Sequence, residues 1–310
     1  MKAIEYTKYW PPDVLALKEI DKPTPKANEV LILIYATTVT FGDAMARSDG
    51  GSFPSIRWFA IRILFGFRKP RQHIPGHEFS GEIESVGKDV TKFLRGDQVL
   101  GSSGYSGPSG TYADFIVMPE NGLMALKPKN MTFEEAATVP IGGMTALHHM
   151  RKGNIQPRQK VLIYGASRSL GTYAVQLAKY FGAEVTGVCS TMSLDLIQSL
   201  GADKVIDYTK EDFTEKGETW DLIFDAVGKL PSMRKKRALS SNGRFISVMG
   251  TISEKVEDLI FLTKLCNEGK IKPAIDQGYP LQQIIEAHRY VDKGHKKGNV
   301  VITVEHNGKT

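Results

Sequence analysis

The hydrophobic positions of the chain keep one rhythm in its first third and another from the middle onward. Up to about residue 120 they come in short runs broken by Gly and Pro: Lys2 to Tyr6, Glu29 to Thr38, Gly81 to Val86, Gln98 to Gly101 and Tyr112 to Val117 read as strands. These predict a small irregular β-barrel. After Pro119 the character changes, and Thr132 to Ala137 reads as a helix start, with Thr132 as N-cap and Glu135 three residues on. From Lys160 apolar runs alternate with helical periods: Val161 to Tyr164, a helix after Leu170, Glu184 to Val188, Leu194 to Leu200, Lys204 to Ile206, Leu222 to Ala226 and Arg244 to Val248. That alternation predicts a doubly wound parallel sheet. Asp258 to Gly269 adds a helix, and the tail carries a helix over Leu281 to Val291 and a strand over Asn299 to Val304. The tail has the character of the first segment, to which it is expected to return. The predicted fold is α/β, with domains over 1–124 and 125–270 and a return over 271–310.

Two stretches stand out from this pattern. Ser55 to Phe67, SIRWFAIRILFGF, is aromatic and apolar but carries Arg57 and Arg62, as an amphipathic helix would. Core packing, the lining of a hydrophobic pocket and contact with lipid are its three readings, in that order. Lys160 to Ala183 is a strand, a tight turn and a helix. Val161 to Tyr164 read as a strand buried on both faces, ending at Gly165; Ala174, Leu177, Ala178 and Phe181 share a helical face before Gly182, placed to cap the helix. Such a turn aims backbone N–H groups and the positive end of a helix dipole at one point, which suits a pyrophosphate. Gly165, Ala166, Ser167, Arg168, Ser169, Leu170 and Gly171 give only part of the dinucleotide fingerprint: with Gly171 as third glycine, Ala166 holds the first place and Arg168 the second. On this segment alone, a bound dinucleotide and an empty α/β turn stand level.

Composition narrows the class. With 310 residues, 41% of them hydrophobic, the chain has material for two cores. Its start has no continuous apolar run of the signal-peptide kind, and no stretch offers roughly 18 uninterrupted apolar residues, so the expected address is the cytoplasm without a membrane span. The two cysteines, Cys189 and Cys266, form no Cys-x-x-Cys pair, which argues against structural zinc and a disulfide framework. A net charge of +6 arises from 40 basic residues interspersed with 34 acidic ones, which reads as a mixed solvated surface with a phosphate-friendly cleft and not as a nucleic-acid face.

Taken together, Val39-Thr40-Phe41-Gly42-Asp43 with Arg47, Gly76-His77-Glu78-Phe79-Ser80-Gly81, Val86-Gly87, Gly96-Asp97-Gln98-Val99, Gly142-Gly143-Met144-Thr145-Ala146, Gly165 to Gly171, Leu200-Gly201-Ala202-Asp203 and Asp225-Ala226-Val227-Gly228 form a specific set. Through them nearly the whole chain resembles the medium-chain dehydrogenase/reductase superfamily, in its zinc-free quinone-oxidoreductase-like branch. The resemblance implies a GroES-like N-terminal domain, a Rossmann domain and a cofactor cleft between them. Nicotinamide would lie near Thr145 and the loops after Asp225 and Val248, so Ala226, Val227 and Met249 join the cofactor-binding candidates.

Zinc-dependent relatives supply a cysteine in the first-domain motif, the histidine of Gly-His-Glu, and a later cysteine or acid. Here no cysteine holds the first place, Gly142 and Gly143 occupy the third region, and His77 reads as a histidine hydrogen-bonded within the barrel. The four-cysteine structural lobe is replaced by the short Ser102 to Gly110 loop. Without a metal Lewis acid, hydride addition to a quinone or to the β-carbon of an enone is easier than oxidation of a simple alcohol, and the growing oxyanion needs only aimed donors. Thr40, which stands where many relatives have asparagine, and Asp43, the motif's acid, are the catalytic candidates, although Asp43 equally suits a backbone-capping role. For the cofactor, the end of the second Rossmann strand has no carboxylate over Cys189 to Met192; Ser190 and Thr191 can bond a phosphate, Tyr208 lies nearby by the resemblance, and NADP is preferred over NAD.

Three departures from the family pattern remain. Arg168 either clashes with a pyrophosphate or pairs with it. Met192 takes the place of an expected positive charge. After Met249-Gly250, relatives run through a further helix and an edge strand, which pairs with its twin to form a dimer; here only TISEKV precedes Glu257, so either this member lacks the strand or a segment is missing, and a family-like dimer is doubtful. A catalytically silent binding protein of the same fold is the alternative reading.

Overall fold

The computed structural model describes residues 1–48, 59, 62–63, 65–104, 110–215, 217–249 and 254–306. By internal contacts the chain divides into two compact units, Met1–Pro140 with Ile275–Thr310, and Ile141–Ala274. The first break lies beyond the expected boundary at 124 because β7 (Met124–Leu126) and α2 (Phe133–Ala137) pack on strands of the first unit.

The first unit is built on β3 (Glu29–Thr38), ten residues of which most are buried. Its length lets three strands share it. β4 (Glu78–Val86) pairs with Val30 to Thr37, while β6 (Phe115–Pro119) takes Glu29 to Leu33 and β14 (Asn299–Thr303) takes Ala36 to Thr38. β5 (Gln98–Ser102) and β7 extend the sheet beyond β4, and β13 (Ile275–Pro280) lies parallel to β14 at the other end. The tail therefore returns through β14. Its helix α8 (Ile284–Asp292) buries Ile284, Ala287, His288 and Val291, the i, i+3, i+4, i+7 stripe that an amphipathic helix lays on a core. A small hairpin, β1 (Lys2–Glu5) with β2 (Ala16–Glu19), completes the strands of this unit.

The second unit is a five-stranded parallel sheet in the order β10-β9-β8-β11-β12, formed by β8 (Lys160–Tyr164), β9 (Glu184–Cys189), β10 (Lys204–Asp207), β11 (Trp220–Asp225) and β12 (Leu239–Ser247). The central strands are buried almost without a break, as helices on both faces require. From β8 the chain steps outward to β10, then crosses back to β11 on the other side of β8. That reversal puts the switch point of the sheet between β8 and β11, beyond their carboxyl ends. The helices are α3 (Val139–Lys152), α4 (Ser169–Tyr180), α5 (Leu194–Ser199), α6 (Ser232–Ala238) and α7 (Val256–Asn267).

The fold departs from the sequence reading in several places. α4 is buried continuously from Gly171 to Ala178, not along one stripe, and Gln176 ties it to the segment before β13: its amide donates to Lys272 O at 2.9 Å and accepts from Lys272 N at 2.8 Å. α1 (Phe41–Arg47), α6, β2 and β13 were not foreseen. Of the 55–67 stretch, Arg57 lies outside the described residues; Phe59, Arg62, Ile63 and Phe65 are helical, and Arg62 is buried with its guanidinium 3.7 Å from the Tyr9 ring centroid. Most of the Ser102 to Gly110 loop and residues 250–253 also lie outside the described residues.

Candidate cofactor-binding site

In the second unit, the turn after β8 is held by its backbone. Gly165 N and Ala166 N both donate to Val188 O on β9, at 3.1 and 3.0 Å, and Arg168 N donates to Gly165 O at 3.1 Å. Gly165 adopts φ +80°, which a side chain resists. A Cβ on Gly171 would stand 2.3 Å from Gly165 O, so this glycine lets helix α4 sit directly on the turn. The third-glycine role is thus visible in the packing, while the turn itself rests on Gly165 and not on Ala166. Arg168 is the N-cap and makes no side-chain cap, which leaves the amides at the helix start turned outward with the dipole.

The candidates gather at the carboxyl ends of the strands. Val227 packs against Gly165, where a Cβ would come within 2.7 Å of its Cγ1, and Gly228 touches Met249 in the same way at 2.7 Å from Cγ. Gly142 of α3 faces Ser169 Oγ and the Tyr173 ring, and Thr145 is buried one turn further along. Tyr208 follows β10, donates its backbone N–H to Cys189 O at 3.1 Å, and is exposed, as is Met192. The Arg168 guanidinium is half-buried and has no acid or hydrogen-bond partner among the described residues; burial lowers its pKa, with the Tyr208 phenol opposing.

At the end of β9, the Thr191 side chain is tied to the neighbouring strand. Its one hydroxyl proton goes to Asp207 Oδ2, so Thr191 has no proton to offer a phosphate; Ser190 makes no such commitment. Asp207 also accepts from Thr209 N at 3.0 Å and Thr209 Oγ1 at 2.7 Å. These bonds, that from Thr191 foremost, lower its pKa against the opposing effect of desolvation. Sequence reading missed this carboxylate because it sits on the neighbouring strand. The signal was present in Asp207-Tyr208-Thr209, an Asp at a strand end two residues before a Thr, which is a turn-capping pattern.

The catalytic candidates Thr40 and Asp43 belong to the first unit, where they form a capping box at the start of α1. Thr40 N and Oγ1 donate to Asp43 Oδ2 at 2.7 and 2.5 Å, and Asp43 N donates to Thr40 Oγ1 at 3.1 Å. Asp43 Oδ1 is bonded to His77 Nδ1 at 2.5 Å, inside the barrel. Burial would raise the Asp43 pKa, but the His77 charge and hydrogen bond, with those from Thr40, outweigh it and hold the carboxyl below its ordinary 3.8. As arranged, neither side chain presents a proton: Thr40 has spent its own on Asp43, and Asp43 is an ionised acceptor. In this arrangement both side chains serve the cap of α1. Thr40-x-x-Asp43 carries the same cap signature as Thr132-x-x-Glu135, whose reciprocal bonds at 3.2 and 2.9 Å appear as expected.

Catalytic zinc needs three protein ligands. Among the described residues no three His, Cys, Asp or Glu side chains converge.

The Zinc-binding dehydrogenase family model matches residues 169–283, and the Alcohol dehydrogenase GroES-like domain model matches residues 26–128. The chain is 32% identical to 2-methylene-furan-3-one reductase of Solanum lycopersicum, over 97% of this chain and 79% of the relative. It is 29% identical to a chloroplastic NADPH-dependent alkenal/one oxidoreductase of Arabidopsis thaliana, with the same coverage. Among solved structures, the quinone oxidoreductase from Coxiella burnetii superposes with a TM-score of 0.85 at 26% identity, over 98% of this chain and 99% of that one. A GroES-like barrel, a Rossmann sheet wound through Gly165 to Gly171 and relatives matched along both place the chain in the medium-chain dehydrogenase/reductase superfamily of oxidoreductases, in its quinone-oxidoreductase-like branch.

Proposed function

We propose that the protein transfers hydride from NADPH to a quinone or an α,β-unsaturated carbonyl, without zinc. The observation that carries this reading is the Gly165 to Gly171 turn: a tightly packed strand-to-helix joint at the switch point of a parallel sheet. NADPH would supply the hydride. The turn's backbone amides would hold its pyrophosphate, Ser190 and Tyr208 its adenosine side, and Thr145, Ala226, Val227 and Met249 its nicotinamide side. With Thr40 and Asp43 bonded to each other, water is the proton source for the reduced substrate.

The preference for NADP is supported by the acid-free Ser190 to Met192 segment and by the Arabidopsis relative's dependence on NADPH. Asp207 opposes it in part, since its negative charge stands beside Thr191. The test is a fluorescence titration with NADPH and NADH, followed by turnover of an enone and a quinone. Tighter NADPH binding and chelator-resistant turnover are expected. Activity lost to a chelator and restored by zinc would reject the metal-free chemistry, and tighter NADH binding would reject the cofactor choice alone.

A second reading, a catalytically silent binding protein, is favoured by Arg168 standing where a glycine lets the pyrophosphate come close. It requires that neither nucleotide bind the purified chain. The cytoplasmic address is likewise a proposal: among the described residues no helix is long and apolar enough to cross a membrane, but the Arabidopsis relative is chloroplastic, and cell fractionation decides.

A further inference from the structure

A buried carboxylate stands at the switch point of the second unit's sheet. Asp225 ends β11, is 2% exposed, and turns back into the loop that follows it. Its Oδ1 accepts from Val227 N at 3.1 Å and Gly228 N at 2.8 Å, and its Oδ2 accepts from Leu230 N at 2.8 Å. One side chain thus gathers three of the four backbone donors from Val227 to Leu230, in a loop that has no ladder to satisfy them. The main chain on either side is tied as well: Ala226 N donates to Tyr164 O on β8, and Val248 N donates to Asp225 O. The far end of the loop is anchored where Leu230 packs on the core around Trp220 and Phe213.

We propose that Asp225 is a positioning residue for the nicotinamide end of the cofactor site, acting through Val227 and Gly228 and touching no reactant itself. The proposal rests on the NADPH reading above. Its geometric content is that the carboxylate sets Val227 against Gly165 of the phosphate turn, and Gly228, at φ +69°, against Met249 after β12. Three strand ends are thereby locked in one arrangement. Without the charge, the three amides lose their common acceptor and the loop is free to shift by the ångström that hydride transfer does not tolerate. The adenosine side, built on β9 and β10, does not pass through this loop.

The test uses Asp225→Asn, which keeps one acceptor oxygen but turns an amide N–H₂ toward the loop's donors, with Val227→Ala as a second variant that leaves the carboxylate in place. Wild type and variants are titrated with NADPH and with 2′,5′-ADP, which lacks the nicotinamide, and turned over with NADPH deuterated on either face of the ring. Asp225→Asn should lower kcat by about a hundredfold and blur the choice of face, as loss of a near-attack geometry does. The affinity for 2′,5′-ADP should stay within about twofold, since distant groups act independently. Val227→Ala should show the same split in milder form. A folded Asp225→Asn with wild-type kcat and face selectivity overturns the proposal, as does a wild-type-like Val227→Ala if Asp225→Asn does not fold. A wild-type protein that binds neither 2′,5′-ADP nor NADPH overturns instead the functional reading beneath it.

Discussion

Thr40 shows how a side chain can match a catalytic position and be occupied elsewhere. Its hydroxyl closes the cap of α1 in both directions, so Thr40→Ala should cost about 1 kcal/mol of stability, the usual loss for a missing N-cap, in a urea titration. If Thr40 is a cap and not an oxyanion donor, kcat should change by less than about tenfold, against the hundredfold or more that a lost donor causes. Arg168 is the opposite case, a guanidinium with no acid or hydrogen-bond partner among the described residues. A long side chain at a point of close phosphate approach costs contact, and a charge-assisted bond recovers about 1.5 to 3 kcal/mol only where its geometry is good. Arg168→Gly should therefore tighten NADPH binding; a weaker-binding mutant would identify the arginine as a ligand.

Two buried histidines also carry a prediction at this scale. Burial and the Arg47 charge lower the pKa of His288 to about 3, and burial with His148 and Lys152 lowers that of His149 to about 4. Neither ring nitrogen of His149 has a hydrogen-bond partner among the described residues. Both rings titrate near 6.5 once unfolded, so between 6.5 and their folded values the unfolded chain binds more protons. Stability should fall as pH falls through that window, by up to about 1.4 kcal/mol per pH unit for each ring. Asp43 adds a further loss below 3.8, where its depressed folded pKa makes the unfolded carboxyl the first to protonate. His149→Leu removes a buried ring that has no hydrogen-bond partner among the described residues, and should flatten the slope between pH 6.5 and 4 without lowering stability at pH 7. Urea midpoints at pH 7 and 5 check this.

Among the elements, those whose identity lies in their own residues were legible in the sequence. The β8 run, the cap at Thr132 and the stripe of α8 each declare themselves locally. What escaped depends on partners far along the chain. β13 has an exposed, mixed pattern and becomes a strand because β14 lies beside it. Asp207 and Asp225 read as strand-end acids, and only the neighbouring strands reveal what they hold. The joint between β8 and α4 offers the sharpest element-level test. Gly171→Ala would place a Cβ 2.3 Å from Gly165 O and 2.7 Å from Ala166 O, backbone atoms that a side-chain rotation cannot move. The helix must then lift from the turn, at a cost of about 1 to 3 kcal/mol by analogy with overpacked cores, and NADPH affinity should fall with it. An alanine variant with wild-type midpoint and affinity would show that the joint is looser than its packing indicates.

At the level of the whole molecule, the question is what the second unit's sheet does with its outer edge. In the described residues β12 is paired on one side only, with β11, and no further strand follows Ser247 before α7 begins at Val256. In the family the chain resembles, an edge strand beyond this point joins two subunits into one sheet. That strand has no counterpart among the described residues. β12 is a poor place for a second copy to dock: Ile246 is buried and Phe245 is partly so, while Ser241, Asn242 and Arg244 are exposed, and polar or charged side chains on an edge discourage pairing. Parallel continuation of the sheet would also have to satisfy a two-fold axis, which makes the central pair antiparallel and needs a straight run of open N–H and C=O groups. β12 bulges against β11 between Trp220 and Leu222, so its run is interrupted. A chain of this sequence should therefore sediment as a 34.3 kDa monomer, or as a dimer whose formation leaves the amides of Arg244 to Ser247 as exchangeable as in the monomer. Sedimentation equilibrium with hydrogen exchange on the same sample decides: a tight dimer that protects those amides would mean that β12 does extend across two subunits, and the argument from the missing strand would fall.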